Sequence, residues 1–314
     1  YMNESVIQFE QFHQLQEDIC QQNIIDAKKK LKDDLVILGH HYQNESVYRH
    51  ADYTGDSLKL AQYTQELEAK YIIFLGVHFM AEVSNILSRK DQVTILPDLS
   101  AGCQMADMAD LQKVKRSYRE LNKVLNFDQQ ITPITYINSA ADLKAFCGDH
   151  DGIVCTSTNA PKILEWAFKQ KEKVLFFPDQ NLGRWTGHKM GINLEQMVVW
   201  DPDLPSGGLT KEQIEQSKIL LWKGHCAVHQ MFRLEHIKKF REEYPSGFVI
   251  SHPESPFEVC LNSDLVGSTE FILNTIKKAE PGTKWLVGTE LNLVNRLANE
   301  MIKEDKMVKF MPQS

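Results

Sequence analysis

The sequence predicts an α/β protein made of three small α/β units around a shared centre, and three observations carry this. Apolar runs of strand length alternate with amphipathic helical stretches along most of the chain, the pattern of parallel strands joined by helical crossovers. The strand candidates fall into three groups, each spanning about ninety residues, a usual domain size. Polar, chemistry-bearing residues collect just after strands, at the edge where open α/β sheets bind ligands. A single irregular barrel is the alternative, because identity between the groups is too weak to prove duplication.

Taken in order, the polar stretch from Phe9 to Lys32 has helical spacing and caps the fold. Leu35–Leu38, Tyr71–Gly76 and Val93–Leu96 read as the first three strands, with helices over Ser57–Lys70 and Ala81–Arg89. Ile131–Ile137, Ile153–Cys155 and Val174–Phe177 form the second group, with a helix over Ala160–Lys171. Ile219–Trp222, Phe248–Ile250 and Trp285–Val287 form the third, with helices over Leu234–Glu243 and Leu291–Lys303. The expected domains are 1–112, 113–205 and 206–314. Asp201–Gly208, with two prolines and two glycines, is the expected linker.

Composition bounds the function. With 42% hydrophobic and 25% charged residues, the chain reads as a soluble enzyme, and a net charge of -7 argues against a nucleic-acid binder. Anionic substrates remain compatible, since a few N–H-rich or cationic pockets suffice to hold them. No apolar stretch reaches membrane-spanning length and no secretory pattern opens the chain, so a cytoplasmic location is expected. Tyr1 before Met2 reads as an appended residue. Six cysteines without a close Cys-x-x-Cys pair make a disulfide framework improbable. Cys20, Cys147, Cys155 and Cys260 read as structural.

The other two cysteines stand where reactive chemistry usually does. Cys103 ends Ser100-Ala101-Gly102-Cys103 and Cys226 lies in Gly224-His225-Cys226-Ala227-Val228-His229, each after a strand and a glycine bend. Two thiols from distant strands, needing one more ligand, fit an iron–sulfur cluster with an open iron. A zinc site using Cys226 with His225 or His229, serving a hydrolase, is a second reading. A binding module for dicarboxylates or phosphorylated sugars is a third. Further strand ends carry His40 and Tyr42, Tyr136 and Asn138, Ser157, and His252 with Glu254. In a parallel sheet these ends face one side and can share a pocket. Neutral imidazole suits proton transfer near pH 7, whereas a phenol such as Tyr42 would need a lowered pKa. Ser268 or Thr269, and the segment Thr54-Gly55-Asp56-Ser57, look like helix N-caps whose free N–H groups favour a phosphate or carboxylate.

Together these segments resemble the quinolinate synthase family. The matching strings include GHHYQ (39–43), DYTGDSLKLA (52–61), LPDLSAGCQMADMA (96–109), TYINS (135–139), TSTNA (156–160), PDQNLG (178–183), LWKGHCAVH (221–229), HPES (252–255), GST (267–269) and KWLVGTE (284–290), in family order over nearly the whole chain. The resemblance implies three α/β/α domains with parallel sheets in pseudo-threefold arrangement and the active site at their junction. It implies condensation of iminoaspartate with dihydroxyacetone phosphate, releasing phosphate and two waters, and aspartate oxidase as a candidate functional contact. It also implies a [4Fe–4S] cluster on three cysteines, with Cys103 and Cys226 as two of them. Tyr42 matches the catalytic tyrosine, with His40 beside it. Ser57, Tyr136, Asn138, Ser157, His229, His252, Glu254, Ser268 and Thr269 match substrate-contacting positions, His252 and Glu254 near the ring-closing end.

One departure stands out. The family's third cysteine follows the last strand, whereas this sequence ends Met311-Pro312-Gln313-Ser314 at about that point. The expectation is a shortened C-terminal segment, a cluster absent or incomplete in this 314-residue form, and a disordered C-terminus. Cys260, the nearby spare thiol, is not expected to substitute.

Overall fold

A computed structural model describes residues 14–313. Three parallel sheets of four, five and four strands are flanked by helices. The first contains β1 (Leu35–His40), β2 (Tyr53–Gly55), β3 (Tyr71–Leu75) and β4 (Val93–Ile95), in the order β2-β1-β3-β4. The second contains β5 (Ile131–Tyr136), β6 (Ile153–Cys155), β7 (Lys173–Phe177), β8 (Met197–Trp200) and β9 (Ile219–Trp222), in the order β6-β5-β7-β9-β8. The third contains β10 (Phe248–Ser251), β11 (Leu265–Val266), β12 (Lys284–Gly288) and β13 (Met307–Phe310), in the order β11-β10-β12-β13. One order thus recurs three times: the first strand central, the second and third on either side of it, and a later strand beyond the third. The second sheet adds β8 outside β9.

Strands covered by helices on both faces need no polar alternation, which is why β7 reads Lys-Val-Leu-Phe-Phe and is buried throughout. Its side chains still divide by period two. Val174 and Phe176 join one core with Ile134, Leu164 and Leu221, while Leu175 and Phe177 join another with Phe127, Trp200 and Trp222. The third sheet packs Val249, Ile250, Leu286 and Val287 against Ile272, Val294 and Leu297 from its helices. Leu38, Ile72 and Phe74 of the first sheet pack on Leu60 and Phe79.

All nine expected strands form, and one changes place. Ile219–Trp222 was expected to open the third unit, yet β9 pairs with β7 and β8 of the second sheet. Asp201–Gly208, expected as the linker, is instead a turn between β8 and β9, with Gly207 and Gly208 at positive φ and the Gly207 carbonyl accepting from Asp201 N–H. We therefore propose a division of the chain after β9 rather than at 205/206. The four unexpected strands, β2, β8, β11 and β13, have only two to four residues each. The N-terminal helix runs Glu17–Leu31, and the part expected before residue 14 lies outside the described residues. That helix is tied to the 46–52 segment by Gln21 donating to Ser46 O (2.9 Å) and Lys28 meeting Asp52 (2.5 Å). The expected C-terminal disorder is corrected as far as Gln313, since β13 pairs with β12 and Met311 is buried in the third core. Ser314 lies outside the described residues. No described helix is long and apolar enough to cross a membrane.

Gly224 permits the close approach that brings the end of β9 to the end of β7, since a Cβ there would lie 2.2 Å from Pro178 O. Gly224→Ala is therefore expected to lose about 1–3 kcal/mol in urea denaturation, the usual cost of overpacking. Gly148→Ala, inside the helix Ala141–Asp149 with open space around the added methyl, should be neutral or stabilising. Equal midpoints for the two variants would contradict this account of β9.

Candidate active site

Strand register aligns the candidate residues in sets. The last rung between the first and third strands of each sheet is Gly39 with Leu75, Thr135 with Phe177, and Ser251 with Gly288. One residue beyond come His40, Tyr136 and His252; three beyond come Tyr42, Asn138 and Glu254. Residues two apart in extended chain share a side, so each sheet projects a pair of polar groups the same way. The first strands also pair with the second strands, His40 with Gly55 and Tyr136 with Cys155. In the third sheet this ladder ends at Ser251 with Val266, so the next rung sets His252 beside Gly267. Two residues beyond Gly55, Cys155 and Gly267 stand Ser57, Ser157 and Thr269, a hydroxyl from every sheet. Cys103 follows β4 and Cys226 follows β9, the outer partners of the third strands. All these residues line one cavity of about 320 Å³, and His229 joins them. In each sheet they sit where the order of crossovers reverses, the ligand-binding crevice of open α/β sheets.

Hydrogen bonds join the units across the cavity. The Tyr42 hydroxyl lies 3.1 Å from Thr269 Oγ1 and 3.0 Å from Thr289 Oγ1, both in the third unit. The helix Leu291–Met301 grips the same loop from below, with Asn292 Nδ2 donating to Tyr42 O (3.1 Å) and Arg296 donating to His41 O and Gln43 O. Tyr136 of the second sheet donates to Glu254 Oε1 at 2.7 Å, and Asn181 Nδ2 donates to Glu254 O at 3.2 Å. His229 Nδ1 lies 3.2 Å from Glu254 Oε2 but off a hydrogen-bonding direction, so neither ring nitrogen makes a well-directed hydrogen bond among the described residues.

Burial sets the protonation states. It pushes the Tyr42 and Tyr136 phenols above their usual range, with the Glu254 carboxylate adding to the effect. Tyr42 is thus a neutral hydroxyl at pH 7, not the lowered-pKa phenol that the sequence reading required of it. Burial, then His41, lowers His40 to about 3; burial lowers His252 to about 4. Both rings are neutral. Burial would raise Glu254 and lower His229, yet the neighbours prevail: the two histidines hold Glu254 at about 2, and Cys226 with Glu254 raises His229 well above its usual value. At neutral pH the two form a buried ion pair.

Burial also raises the Cys103 thiol to about 12, so a metal must displace its proton to bind. Two thiols on one cavity wall, in reach of each other's charge, are a soft-donor set that fits an iron–sulfur cluster as two of three cysteine ligands. No third cysteine lines the cavity among the described residues. Cys260 is apart from it, its thiol directed at His252 O and Ser255 O (3.8 and 3.6 Å). His225 does not line it either, which corrects its place in the zinc reading; Glu254 is the third potential ligand beside Cys226 and His229. Ser268 is buried but does not line the cavity. It caps the helix Thr269–Lys278, accepting from Phe271 N at 3.4 Å. The sequence reading did not single out Glu290 and Gln43, which line the wall, or Thr289 and Asn181, which touch site residues from behind. For two of them a signal was present: Thr289 and Glu290 directly follow the third strand of their sheet.

Neutral and charged proton carriers held out of water at the meeting of three α/β sheets define an enzyme acting on a small molecule. Comparison with known proteins says which kind. The family described as "Quinolinate synthetase A protein" matches residues 22–313. Quinolinate synthases of Rhodopirellula baltica and Halalkalibacterium halodurans are each 50% identical to the chain, over 92% and 89% of it and 76% of each relative. That of Herpetosiphon aurantiacus is 51% identical over 88% of the chain and 74% of the relative. The chain belongs to the quinolinate synthase family, and the binding-module reading gives way to an enzyme.

His40 gives a test of the protonation account. A histidine held neutral in the fold takes up its proton only when unfolded, so stability falls as pH drops from its unfolded value toward about 3. His40 alone should contribute a loss of about 1.4 kcal/mol per pH unit in that window. Urea midpoints at about pH 7 and about pH 5 should therefore differ less in His40→Asn than in the parent. The same difference in both would contradict a buried neutral ring.

Proposed function

We propose that the cavity condenses iminoaspartate with dihydroxyacetone phosphate to quinolinate, releasing phosphate and two waters, as a step toward NAD. The observation that carries this reading is the meeting of Tyr42, the Tyr136–Glu254 pair and two thiols on one buried cavity in a chain of this family. The acids and phosphate of the substrates match the N-terminal turn of the helix Thr269–Lys278, where N–H groups and the helix dipole favour anions, whereas the Asp56 carboxylate already caps the helix Ser57–Glu66. Ser57 and Thr269 supply hydroxyls, Ser157 and Asn138 supply polar contacts from the second sheet, and Ser268 acts by capping its helix. Contact with an aspartate oxidase as the source of the imine, and a cytoplasmic setting, complete the reading.

In this reading Tyr42, neutral and hydrogen-bonded to Thr269 and Thr289, gives its proton to an oxygen leaving the substrate. The threonine hydroxyls allow it to be reprotonated. His40, neutral and edge-on to Tyr42 with ring centroids 4.5 Å apart, accepts protons beside it. At the ring-closing end, neutral His252 takes a proton from the amine, and the Glu254 carboxylate, fixed by Tyr136, steadies positive charge on nitrogen. Cys103 and Cys226 are the residues that would hold a [4Fe–4S] cluster with a third thiol. When bound, such a group supplies a Lewis acid for loss of water.

Tyr42→Phe should lower kcat by about 10²–10⁴-fold, the usual contribution of a positioned acid or base, with KM changing only a few-fold. Quinolinate formation by a form that carries the family's third cysteine and a complete cluster is the readout, and an unchanged kcat would remove the phenol from proton transfer. Anaerobic reconstitution of the 314-residue chain should give fewer than about four irons per chain, because one thiolate ligand is lacking. A full complement of iron and sulfide would contradict the ligand assignment.

A further inference from the structure

The cavity holds a second donor set, which shares one of the two thiols. One sulfur, one nitrogen and one oxygen, from Cys226, His229 and Glu254, lie within 4.8 Å of one another. His229 is 1% exposed; its Nδ1 faces Glu254 Oε2 at 3.2 Å as an ion pair, but neither ring nitrogen makes a well-directed hydrogen bond among the described residues. A buried ring so placed has hydrogen-bonding capacity that a further partner or an ion can take up. Its surroundings are built rather than incidental. Cys226 and His229 stand one turn apart where the chain enters the short turn His229–Met231. Glu254 is anchored twice, at Oε1 by Tyr136 and at its carbonyl by Asn181, which leaves Oε2 on the His229 side.

We propose that the chain, when free of its cluster, binds one divalent ion of the zinc class on Cys226 Sγ, a His229 ring nitrogen and a Glu254 carboxylate oxygen, with the fourth position open to the cavity. The mixed sulfur, nitrogen and oxygen set matches zinc chemistry, as does the pattern of three protein ligands and one free position. Metal–ligand lengths of about 2.0–2.3 Å separate tetrahedral donors by roughly 3.5 Å, so side-chain rotation suffices to close the set. Binding would release the imidazolium proton and replace the His229–Glu254 ion pair by two metal bonds, and Tyr136 would orient the carboxylate as an outer partner of the ion. Cys103 is not in the set. The ion therefore uses one of the three thiols that a cluster requires, and a zinc-loaded chain cannot take up a cluster on Cys226. Zinc would act as an inhibitor of maturation, whatever the substrate proves to be.

The test is an anaerobic Co²⁺ titration of chain freed of metal by chelator, followed by absorption. The expected result is a thiolate-to-cobalt charge-transfer band, with intense four-coordinate d–d bands, saturating at one ion per chain. Cys226→Ser should abolish the charge-transfer band, and His229→Ala should weaken binding by at least about 100-fold, more than an outer partner would. Cys103→Ser should leave band and stoichiometry intact. Loss of the band in Cys103→Ser would mean that the ion bridges the two thiols, and absence of a band in the parent would mean that no thiolate binds; either overturns the proposal. The unmutated chain gives an answer that does not depend on variants folding. Zn²⁺ should lower the labelling of Cys226 by iodoacetamide, read by peptide mass spectrometry. Unchanged labelling of Cys226 would also overturn it.

Discussion

Parallel strands all end on the same side, and the rest of this molecule follows from that constraint. In each sheet the chain starts at a central strand, crosses to one neighbour and then to the other, so the helices diverge and leave a crevice over the carboxyl end of the central strand. A single sheet would offer a shallow crevice lined from two or three loops. Here three of them open on one cavity, and each contributes the same kinds of position: a pair of polar groups from the first strand and a hydroxyl after the second. That arrangement explains why residues as remote in sequence as Tyr42, Tyr136 and Glu254 need no unusual backbone to meet.

Removal from water then gives those residues their chemical states. A phenol, an imidazole and a carboxylate of ordinary pKa would each be partly or wholly solvated at a surface. Within the cavity the two phenols stay protonated, His40 and His252 stay neutral, and Glu254 and His229 face each other as a charge pair. A buried ion pair is a weak source of stability, since desolvation offsets most of the attraction. Its presence at the seam of the second and third units points to function rather than to folding. The loop carrying Tyr42 is held otherwise, by neutral and charged donors of the helix Leu291–Met301 to three successive carbonyls, so the first and third units are coupled through the backbone of the proton-bearing residue itself.

Much of this was legible in the sequence, because the long central strands are continuous apolar runs and their ends carry His, Tyr, Asn, Ser and Glu. Val174–Phe177 could hardly be read otherwise. The failures have physical causes. β11 is two residues long, and β13 carries Lys309 between Val308 and Phe310, so neither has enough pattern to be seen. Ile219–Trp222 went to the wrong unit because its pairing with β7 is non-local, while Pro205 and the glycines before it imitate a linker. His225 and His229 are indistinguishable by type and differ only in which one the turn after Cys226 brings to the cavity. The protonation of Tyr42 could not be read at all, since it depends on burial and on Glu254, which is remote in sequence, and not on residues adjacent along the chain.

A crystal structure of the chain with quinolinate bound tests the convergence most directly. The account predicts the pyridine ring inside the cavity, its carboxylates beside Ser57 and Thr269, and the ring edge between Tyr42 and Glu254. Quinolinate bound at a different surface, with Tyr42 and Glu254 both remote from it, would contradict the claim that the three sheets build one active site.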